Sequence, residues 1–347
     1  MTQRFCTLFD ERYLARGLTL YRSLRSACPD FHLYVFAFDE ATRVCLTAMA
    51  LPQMTVVALA DFEDAALLRV KPSRSAGEYC WTATPSALLY CLRAFDLDHC
   101  TYVDADLYFY ADPICLLEEM GDASILITPH RFTPAYDLSD AFGVYCVQFL
   151  TARHDPRGLA VLTWWRDACL AWCFNRCEDG RFGDQKYLDD WTDRFPGVHV
   201  LDHPGGGVAP WNLQQLSLTL TDAGLQVTAA ARGTRAPLVF FHFHGLRLHT
   251  GGTVELTHLG YRMPSVWRRS LYGPYVRRLG EAARSAAPFC PPGTDPSGTS
   301  DQRLPSRWRW GIHLICANTL GILRRLTHRS SRFHPEFNHV YNLDDLA

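Results

Sequence analysis

The sequence has 347 residues, of which 48% are hydrophobic, so it can bury the core of one large domain or two medium ones. Its formal net charge of −2 gives no electrostatic argument for a nucleic-acid partner, which a strongly basic chain would offer. The 13 cysteines are an odd number scattered through apolar segments, which favours reduced thiols that pack as small hydrophobes over a disulfide framework.

The N-terminal part of the chain alternates short apolar runs with segments of helical periodicity. We predict strands at 5–9, 31–38 and 54–59 and helices at 13–26 and 41–50. Strands that alternate with helices in this way indicate an α/β fold with a mostly parallel central sheet and flanking helices.

The alternation continues with a predicted helix at 85–95, in which Pro85 suits the first turn. A buried strand at 99–103 follows and carries Asp104 and Asp106 at its C-terminal end. The remaining predicted elements are strands at 124–128, 144–149, 198–201 and 238–242 and helices at 158–175 and 185–191.

Asp104 and Asp106 are separated by one residue at the carboxyl end of a strand, where open α/β sheets bind ligands. Two carboxylates alone repel a diphosphate, whereas a divalent cation accepts carboxylate and phosphate oxygens together. Such a cation also stabilises a nucleoside diphosphate as it leaves. Aspartates are common in solvated turns, but the apolar strand before this pair and the aromatic segment after it favour a metal site.

The segment from Glu78 to Ser86 and the run from Tyr102 to Phe109 resemble bacterial glycosyltransferases of the GT-A fold. They are most similar to the glycogenin and lipopolysaccharide galactosyltransferase group of nucleotide-diphospho-sugar transferases, over about residues 3–280. The resemblance implies a GT-A-like fold, Mn²⁺ or Mg²⁺ as cofactor, a nucleotide-sugar donor with UDP favoured, a glycan or lipid-linked acceptor, and retention of configuration.

In the resembling family, the loop after the first strand holds the nucleoside. Asp10 matches a position whose carboxylate binds the base edge, and Tyr13 matches one whose ring stacks on the base. We assign Thr84, within the resembling segment, to donor binding as well. The alternative is that Asp10 caps the following helix and Tyr13 packs in the core.

A His-x-x-Gly motif completes the metal site in that family, and His242 has this spacing to Gly245. His244 lies on the same side of an extended segment and is the alternative ligand. Imidazole suits Mn²⁺ beside two carboxylates. The diphosphate-binding lysine of the family is missing; Arg247 offers a cation nearby but does not match its position.

Asp184 and Gln185 resemble an Asp-Gln pair whose glutamine lies beneath the anomeric carbon in retaining enzymes. We predict that Gln185 stabilises positive charge at the sugar ring and that Asp184 binds sugar hydroxyls. In an inverting enzyme, Asp184 would instead be the base. A simple helix N-cap by Asp184 is the alternative.

Cys146-Val147-Gln148 stands where such enzymes carry Asn-x-Gly near the donor sugar, which predicts altered sugar choice or weak activity. The glycine-rich segment 205–212 lacks the Lys-Ser/Thr of a phosphate-binding loop. It is either an acceptor-side loop, in which Trp211 and Asn212 contact a sugar, or a structural turn.

We predict three parts: a GT-A-like catalytic domain at 1–286, a flexible linker rich in Pro, Gly, Ser and Thr at 287–306, and a basic amphipathic extension at 307–347. Seven arginines and no acidic residue occur from 303 to 332, between apolar and aromatic residues. This pattern suits an interfacial helix over 307–332 on anionic lipid or a terminal helix packed on the domain.

Without a signal peptide or an apolar run near the roughly 20 residues that cross a bilayer, we expect a cytoplasmic protein, with peripheral contact to the inner face of the membrane through the extension. The predicted activity is that of a metal-dependent, retaining hexosyltransferase. The alternatives are an inverting enzyme, a nucleotidyltransferase, or a silent carbohydrate- or membrane-binding relative. A nucleotidyltransferase typically has a basic Gly-rich N-terminal signature, which residues 5–13 lack.

Overall fold

The computed structural model of the chain describes residues 2–231, 233–257, 261–300, 339–342 and 346. The strands in this part are β1 (Gln3–Phe9), β2 (Phe31–Ala37), β3 (Met54–Ala58), β4 (His99–Val103), β5 (Leu107–Phe109), β6 (Ile125–Pro129), β7 (Tyr145–Arg153), β8 (Val198–Val200), β9 (Leu216–Thr221), β10 (Gly224–Ala229), β11 (Arg235–Pro237), β12 (Phe240–His242), β13 (Arg247–His249), β14 (Thr253–Glu255) and β15 (Val340–Asn342).

The α-helices in the same part are α1 (Leu14–Ala27), α2 (Glu40–Met49), α3 (Leu59–Phe62), α4 (Ala65–Val70), α5 (Ala76–Ala94), α6 (Ile114–Glu119), α7 (Ser139–Phe142), α8 (Pro156–Ala171), α9 (Trp191–Arg194), α10 (Ser265–Trp267) and α11 (Gly273–Ala286). Short 3₁₀ helices are Glu11–Tyr13, Lys71–Ser73, Pro134–Tyr136, Gln185–Asp190, Leu213–Gln215 and Ala287–Phe289, and Arg268–Tyr272 is a π-helical segment.

A central seven-stranded sheet has the order β3-β2-β1-β4-β7-β6-β8. Neighbouring strands run parallel except at β7, which is antiparallel to both β4 and β6. This architecture confirms the predicted α/β class with a mostly parallel sheet. Because β1 and β4 are parallel neighbours, the residues that follow Phe9 and Val103 lie at the same edge of the sheet.

Apolar cores cover both faces of the sheet. One contains Leu18 of α1 and Leu279 of α11, and the other contains Leu88 of α5 and Trp165 of α8. The cysteines of the described part are free thiols, and most are buried among these apolar side chains. They therefore pack as small hydrophobes, as the sequence predicts.

Helix α5 begins earlier than predicted. Ser75 and Glu78 form a capping box, in which each side chain bonds the backbone N–H of the other residue, so the helix begins at Ala76 rather than at Pro85. Pro85 lies inside the helix instead of in its first turn. It supplies no N–H to the turn before it, yet the helix continues through this position.

The short strands outside the central sheet position the C-terminal half of the domain. β5 pairs antiparallel with β12, β9 to β11 form an antiparallel three-stranded sheet, and β13 to β15 form another. The sequence did not predict the β9–β11 sheet. The β5–β12 pair is the one that completes the site described below.

Residues 287–300 belong to the predicted linker, and they contact the N-terminal part of the chain. The carbonyl of Pro296 accepts a hydrogen bond from the N–H of Ala15 at 3.0 Å, and a Cβ at Gly298 would lie 1.8 Å from the carbonyl oxygen of Arg12. The rest of the linker and the predicted interfacial segment 307–332 lie outside the described residues. In the described part, no helix is both long enough and apolar enough to cross a bilayer.

Candidate functional site

The aspartate pair and His242 are brought together by strand pairing. Asp104 and Asp106 follow β4, and the antiparallel β5–β12 register sets His242 opposite Leu107. The N–H of Phe243 also donates a hydrogen bond to the carbonyl of Asp106 at 3.0 Å. The three predicted ligands therefore meet at the carboxyl end of β4, where an α/β sheet binds ligands.

The side chains of this group are close enough to share one cation. Nε2 of His242 lies 3.0 Å from Oδ1 of Asp106 and 3.6 Å from Oδ2 of Asp104. One ligand atom from each of the three residues lies within 4.8 Å of the other two, and Asp106 and His242 are buried. Two carboxylates and an imidazole are a donor set that suits Mn²⁺ or another divalent cation.

Without a cation, His242 and Asp106 form an ion pair beside the carboxyl of Asp104. Burial raises the pKa of Asp106, but the charge and hydrogen bond of His242 outweigh it and hold the pKa at about 2. Burial lowers the pKa of His242, but Asp106 outweighs that effect and raises the pKa well above its ordinary value. The pKa of Asp104 is raised, chiefly by burial. A proton on His242 thus occupies the place that a cation would take.

His242 rather than His244 belongs to this group within the described residues. His244 is exposed, with its ring centroid 5.3 Å from that of His242 and 5.4 Å from that of Trp211. The geometry therefore favours His242 over His244 as the third ligand.

Gln148 and Tyr102 surround the group, and the sequence analysis assigned neither to it. Oε1 of Gln148 lies 2.8 Å from Nδ1 of His242, and the carbonyl of Gln148 accepts a hydrogen bond from the N–H of Asp104 at 3.0 Å. The hydroxyl of Tyr102 donates to Oδ1 of Asp104 at 2.8 Å. The alternation of side chains along β4, which turns Tyr102 and Asp104 to the same side, is the signal that could have found Tyr102.

Asp184 is a buried carboxyl next to the aspartate pair. Burial, and then the charge of Asp104, raises its pKa to about 8, so at neutral pH it is largely a neutral acid. Its side chain makes no N-cap hydrogen bond to the 3₁₀ helix that follows, while the backbone N–H groups of Asp184 and Gln185 hydrogen-bond the carboxyl and lower its pKa against the effect of burial. Thr84 is buried on α5, where its hydroxyl bonds the carbonyl of Cys80 at 3.2 Å and lies against the carboxyl of Asp184.

Gln185 is half-buried, and its amide nitrogen is already engaged. Nε2 donates a hydrogen bond to the carbonyl of Phe142 at the end of α7, at 2.7 Å. The amide oxygen is the remaining polar atom of this side chain, and it can only accept.

The loop after β1 lies beside the aspartate pair, as the pairing of β1 with β4 requires. Asp10 caps the 3₁₀ helix through the N–H of Arg12 at 3.1 Å, so the capping alternative is present. Burial and the neighbouring Asp39 raise its pKa. The ring of Tyr13 is 42% exposed, so the alternative that it packs in the core is wrong.

Arg16 is a buried cation near the site, and the sequence did not predict its role. Its guanidinium lies 4.6 Å from the ring centroid of Tyr13 and donates to the carbonyls of Arg12 and Leu246 at 3.2 and 3.0 Å. Its charge contributes to the low pKa of Asp106. Arg247, the cation predicted from sequence, is exposed on β13, opposite Glu255 on β14.

The glycine-rich loop has a structural role. Trp211 and Asn212 are buried: Nε1 of Trp211 and Nδ2 of Asn212 donate to the carbonyl of His130 at 2.9 and 2.8 Å, and Oδ1 of Asn212 accepts from the N–H of Ala209. The idea that both side chains contact a sugar is therefore wrong, because their polar atoms bond within the protein. Instead, the ring of Trp211 packs edge-on against His242, with the centroids 5.5 Å apart.

Comparison with known proteins identifies two relatives in Bacillus subtilis (strain 168). The chain is 31% identical to the uncharacterised protein YfnF over 280 residues, which cover 78% of this chain and 91% of YfnF. It is 29% identical to the uncharacterised protein YfnD over 282 residues, which cover 80% of this chain and 89% of YfnD. No protein-family model matches the chain.

Similar solved structures include two glycosyltransferases. The galactosyltransferase LgtC, solved with donor and acceptor sugar analogues, has a TM-score of 0.45 and 16% identity, covering 89% of this chain and 99% of LgtC. Mouse xyloside xylosyltransferase 1 has a TM-score of 0.43 and 15% identity, covering 70% of this chain and 97% of that protein.

Proposed function

For this chain, which belongs to the same family as the Bacillus subtilis protein YfnF, we propose a glycosyltransferase activity that moves a sugar from a nucleotide-diphosphate donor to a hydroxyl acceptor. The convergence of Asp104, Asp106 and His242 within 4.8 Å carries this proposal. The group lies at the carboxyl end of β4, beside the loop that follows β1. Nucleotide and metal would therefore bind at adjacent positions on one sheet edge.

Asp104, Asp106 and His242 would hold Mn²⁺ or Mg²⁺, because their oxygen and nitrogen donors suit these ions. When bound, the cation supplies charge that binds the diphosphate and stabilises it as a leaving group. The buried Arg16 guanidinium adds a fixed positive charge close to Asp106. We assign Arg16 to the diphosphate side of the site, in the role that Arg247 was predicted to fill.

The nucleoside would bind at the end of β1. Asp10 is half-buried and holds a carboxyl near the aspartate pair, while the exposed ring of Tyr13 offers a flat apolar surface for a base. The Arg16 guanidinium on the ring of Tyr13 orients that surface. We favour uridine as the nucleoside, on the sequence resemblance.

The sugar would lie between the cation site and the Asp184–Gln185 pair. Asp184, as a neutral acid at pH 7, can donate a hydrogen bond to a sugar hydroxyl. The amide oxygen of Gln185 would face the positive charge that develops at the anomeric carbon, since the amide nitrogen is held by Phe142. The oxygen of an acceptor hydroxyl would bond to that carbon on the side of the leaving group, as the bond from the carbon to the diphosphate oxygen breaks and the diphosphate takes the hydroxyl proton, which gives retention.

The acceptor is a glycan or a lipid-linked sugar. With a lipid-linked acceptor, contact of 307–332 with the inner face of the membrane would bring the site to its substrate. We place the protein in the cytoplasm on the basis of its sequence.

Donor hydrolysis in the absence of acceptor tests the activity directly. The full chain is incubated with single UDP- and GDP-sugars, with and without Mn²⁺, and the released nucleoside diphosphate is measured by chromatography. We expect slow, Mn²⁺-dependent release from one donor class, which Asp106→Ala abolishes. Asp122→Ala, at an exposed turn after α6, is the matched control and should retain the activity.

Two other outcomes would replace the proposal. Pyrophosphate release from a nucleoside triphosphate and a sugar 1-phosphate would identify a nucleotidyltransferase. Glycan binding without donor turnover, with any donor and either cation, would identify a silent carbohydrate-binding relative.

A further inference from the structure

We propose that Gln148 is a positioning residue for His242: its side-chain oxygen holds the imidazole so that Nε2 faces Asp104 and Asp106. The inference rests on the proposed metal site and extends it to a residue that no donor or cation would touch. It concerns the segment Cys146-Val147-Gln148, for which the sequence predicted an effect on sugar choice.

The contact that carries this inference is between two buried side chains. Oε1 of Gln148 lies 2.8 Å from Nδ1 of His242, while Nε2 of the same ring lies 3.0 Å from Asp106. A histidine that binds a metal through one nitrogen normally donates the hydrogen of the other to a neighbouring acceptor. An amide oxygen at Nδ1 keeps a proton on that nitrogen, so Nε2, which faces the carboxylates, is the nitrogen that gives up its proton and offers its lone pair to a cation.

The backbone of Gln148 holds a second member of the group. Its carbonyl accepts the N–H of Asp104 at 3.0 Å, next to the pairing of Val103 with Phe149 across β4 and β7. A single residue on β7 therefore contacts both a carboxylate ligand and the imidazole ligand. Because these contacts come from a central strand of the sheet, the two ligands are held by a rigid element rather than by a loop.

The surroundings of Gln148 make packing alone a poor explanation for a glutamine here. The side chain is fully buried, between Val147 and Phe149 on a strand whose neighbouring positions are apolar. Within the described part of the chain, its Nε2 has no hydrogen-bond partner. An apolar residue of the same size would fill this space without burying an amide. The contact with His242 is the interaction that such a residue would lose.

Gly207 packs against Thr128 and beside the amide of Gln148. Its φ of 79° lies in the left-handed region, and an added Cβ would lie 2.7 Å from Cγ2 of Thr128 and 3.7 Å from Nε2 of Gln148. The next residue, Val208, accepts the N–H of His242 through its carbonyl at 2.9 Å. The glycine-rich loop and Gln148 thus enclose His242 from two sides.

The test measures the affinity of the full chain for Mn²⁺ alone, by calorimetry, without nucleotide or sugar. Gln148→Met keeps the volume and removes the acceptor oxygen, and we expect it to weaken Mn²⁺ binding about 10- to 100-fold. Thr151→Val is the matched control, because it also removes a buried side-chain hydrogen bond on β7, to Thr101 at 2.8 Å, away from His242. We expect wild-type affinity from this variant.

Gln148→Glu separates positioning from packing, because a glutamate keeps an acceptor oxygen in the same place. We expect it to bind Mn²⁺ at least as tightly as the wild type. Equal weakening by the methionine and glutamate variants would overturn the inference. If circular dichroism shows that Gln148→Met does not fold, Gln148→Asn replaces it in the test. The shorter side chain of asparagine moves the acceptor oxygen away from His242, so this variant should weaken Mn²⁺ binding. An unchanged affinity for Mn²⁺ would overturn the inference.

The experiment also distinguishes this inference from the proposed function. A wild-type chain that binds no Mn²⁺ contradicts the metal site itself, and the proposed function with it. If the wild type binds Mn²⁺, Asp106→Ala does not, and Gln148→Met binds it as tightly as the wild type, only the role of Gln148 is contradicted.

Discussion

Nε2 of His242 lies 3.0 Å from Oδ1 of Asp106, although these residues come from distant parts of the chain. The antiparallel β5–β12 pair accounts for this proximity, since its register sets His242 opposite Leu107, the residue after Asp106. The site therefore depends on the correct placement of β12. Any change that displaces this strand should affect both stability and cation binding.

Gly205 is expected to be indispensable for the placement of β12. An added Cβ would lie 1.8 Å from the carbonyl oxygen of Pro237, and the carbonyl of Gly205 accepts the N–H of Val239 at 2.9 Å. Because backbone atoms cannot yield as a side chain can, we expect Gly205→Ala to lower the free energy of unfolding by about 3 kcal/mol. Urea denaturation followed by circular dichroism measures this.

Gly77 provides the contrast for that prediction. It lies in α5, and an added Cβ would meet nothing within 4 Å. Since alanine favours a helix over glycine, Gly77→Ala should leave stability unchanged or raise it by up to about 1 kcal/mol. Equal stability of the two alanine variants would show that the approach of Gly205 to Pro237 is not tight in solution.

Asp184 should make the metal-free protein less stable as the pH rises. Its pKa is about 8 in the folded chain and has an ordinary value of 3.8, so the folded state binds the extra proton between these limits. The proton on Asp184 therefore stabilises the folded state fully below about pH 4, and this stabilisation is lost as the pH rises toward 8. Asp184→Asn removes this dependence.

The free energy of unfolding of Asp184→Asn, relative to wild type, should rise by up to about 1.4 kcal/mol per pH unit across this range. Denaturation curves at several pH values, with a chelator present, test the slope. Asp122→Asn, at an exposed turn, serves as the control. Parallel stability profiles of wild type and Asp184→Asn would contradict a buried neutral carboxyl at this position.

Cation binding should release a proton from His242. The pKa of this histidine is raised well above its ordinary value by the charge and hydrogen bond of Asp106, against the effect of burial, so the ring is protonated at pH 7 in the metal-free protein. A cation displaces that proton, and the apparent affinity for Mn²⁺ should rise about tenfold per pH unit below the pKa. Calorimetry in buffers of different ionisation enthalpy counts the released protons, and a heat independent of the buffer would contradict the prediction.

Much of the fold was predictable because its signals are local. The strand pattern at 31–38 and the helical spacing at 13–26 match β2 and α1 within one or two residues. The aspartate pair was found because it directly follows an apolar strand. The start of α5 was also readable, since Ser75 and Glu78 have the spacing of a capping box, but Pro85 directed the prediction to a later start.

The contacts that surround the metal ligands were not predictable, because they join positions far apart in sequence. Gln148 occurs in a segment compared with the Asn-x-Gly motif, and nothing local indicates that its side chain meets His242. Arg16 occurs in a helix where an arginine ordinarily faces water, yet it is buried against the carbonyl of Leu246. Trp211 and Asn212 suggested a sugar-binding loop by residue type, whereas their polar atoms bond the backbone carbonyls of His130 and Gly207.

In the proposed site, the aspartate pair binds a cation that in turn binds a nucleotide-sugar. Calorimetric titration of UDP- and GDP-sugars into the full chain, with and without Mn²⁺, tests it most directly in the wild type, Asp104→Ala, Asp106→Ala and the control Asp122→Ala. We expect donor binding that requires Mn²⁺ in the wild type and the control and is lost in both site variants. Unchanged Mn²⁺-dependent donor binding in Asp104→Ala and Asp106→Ala would contradict it.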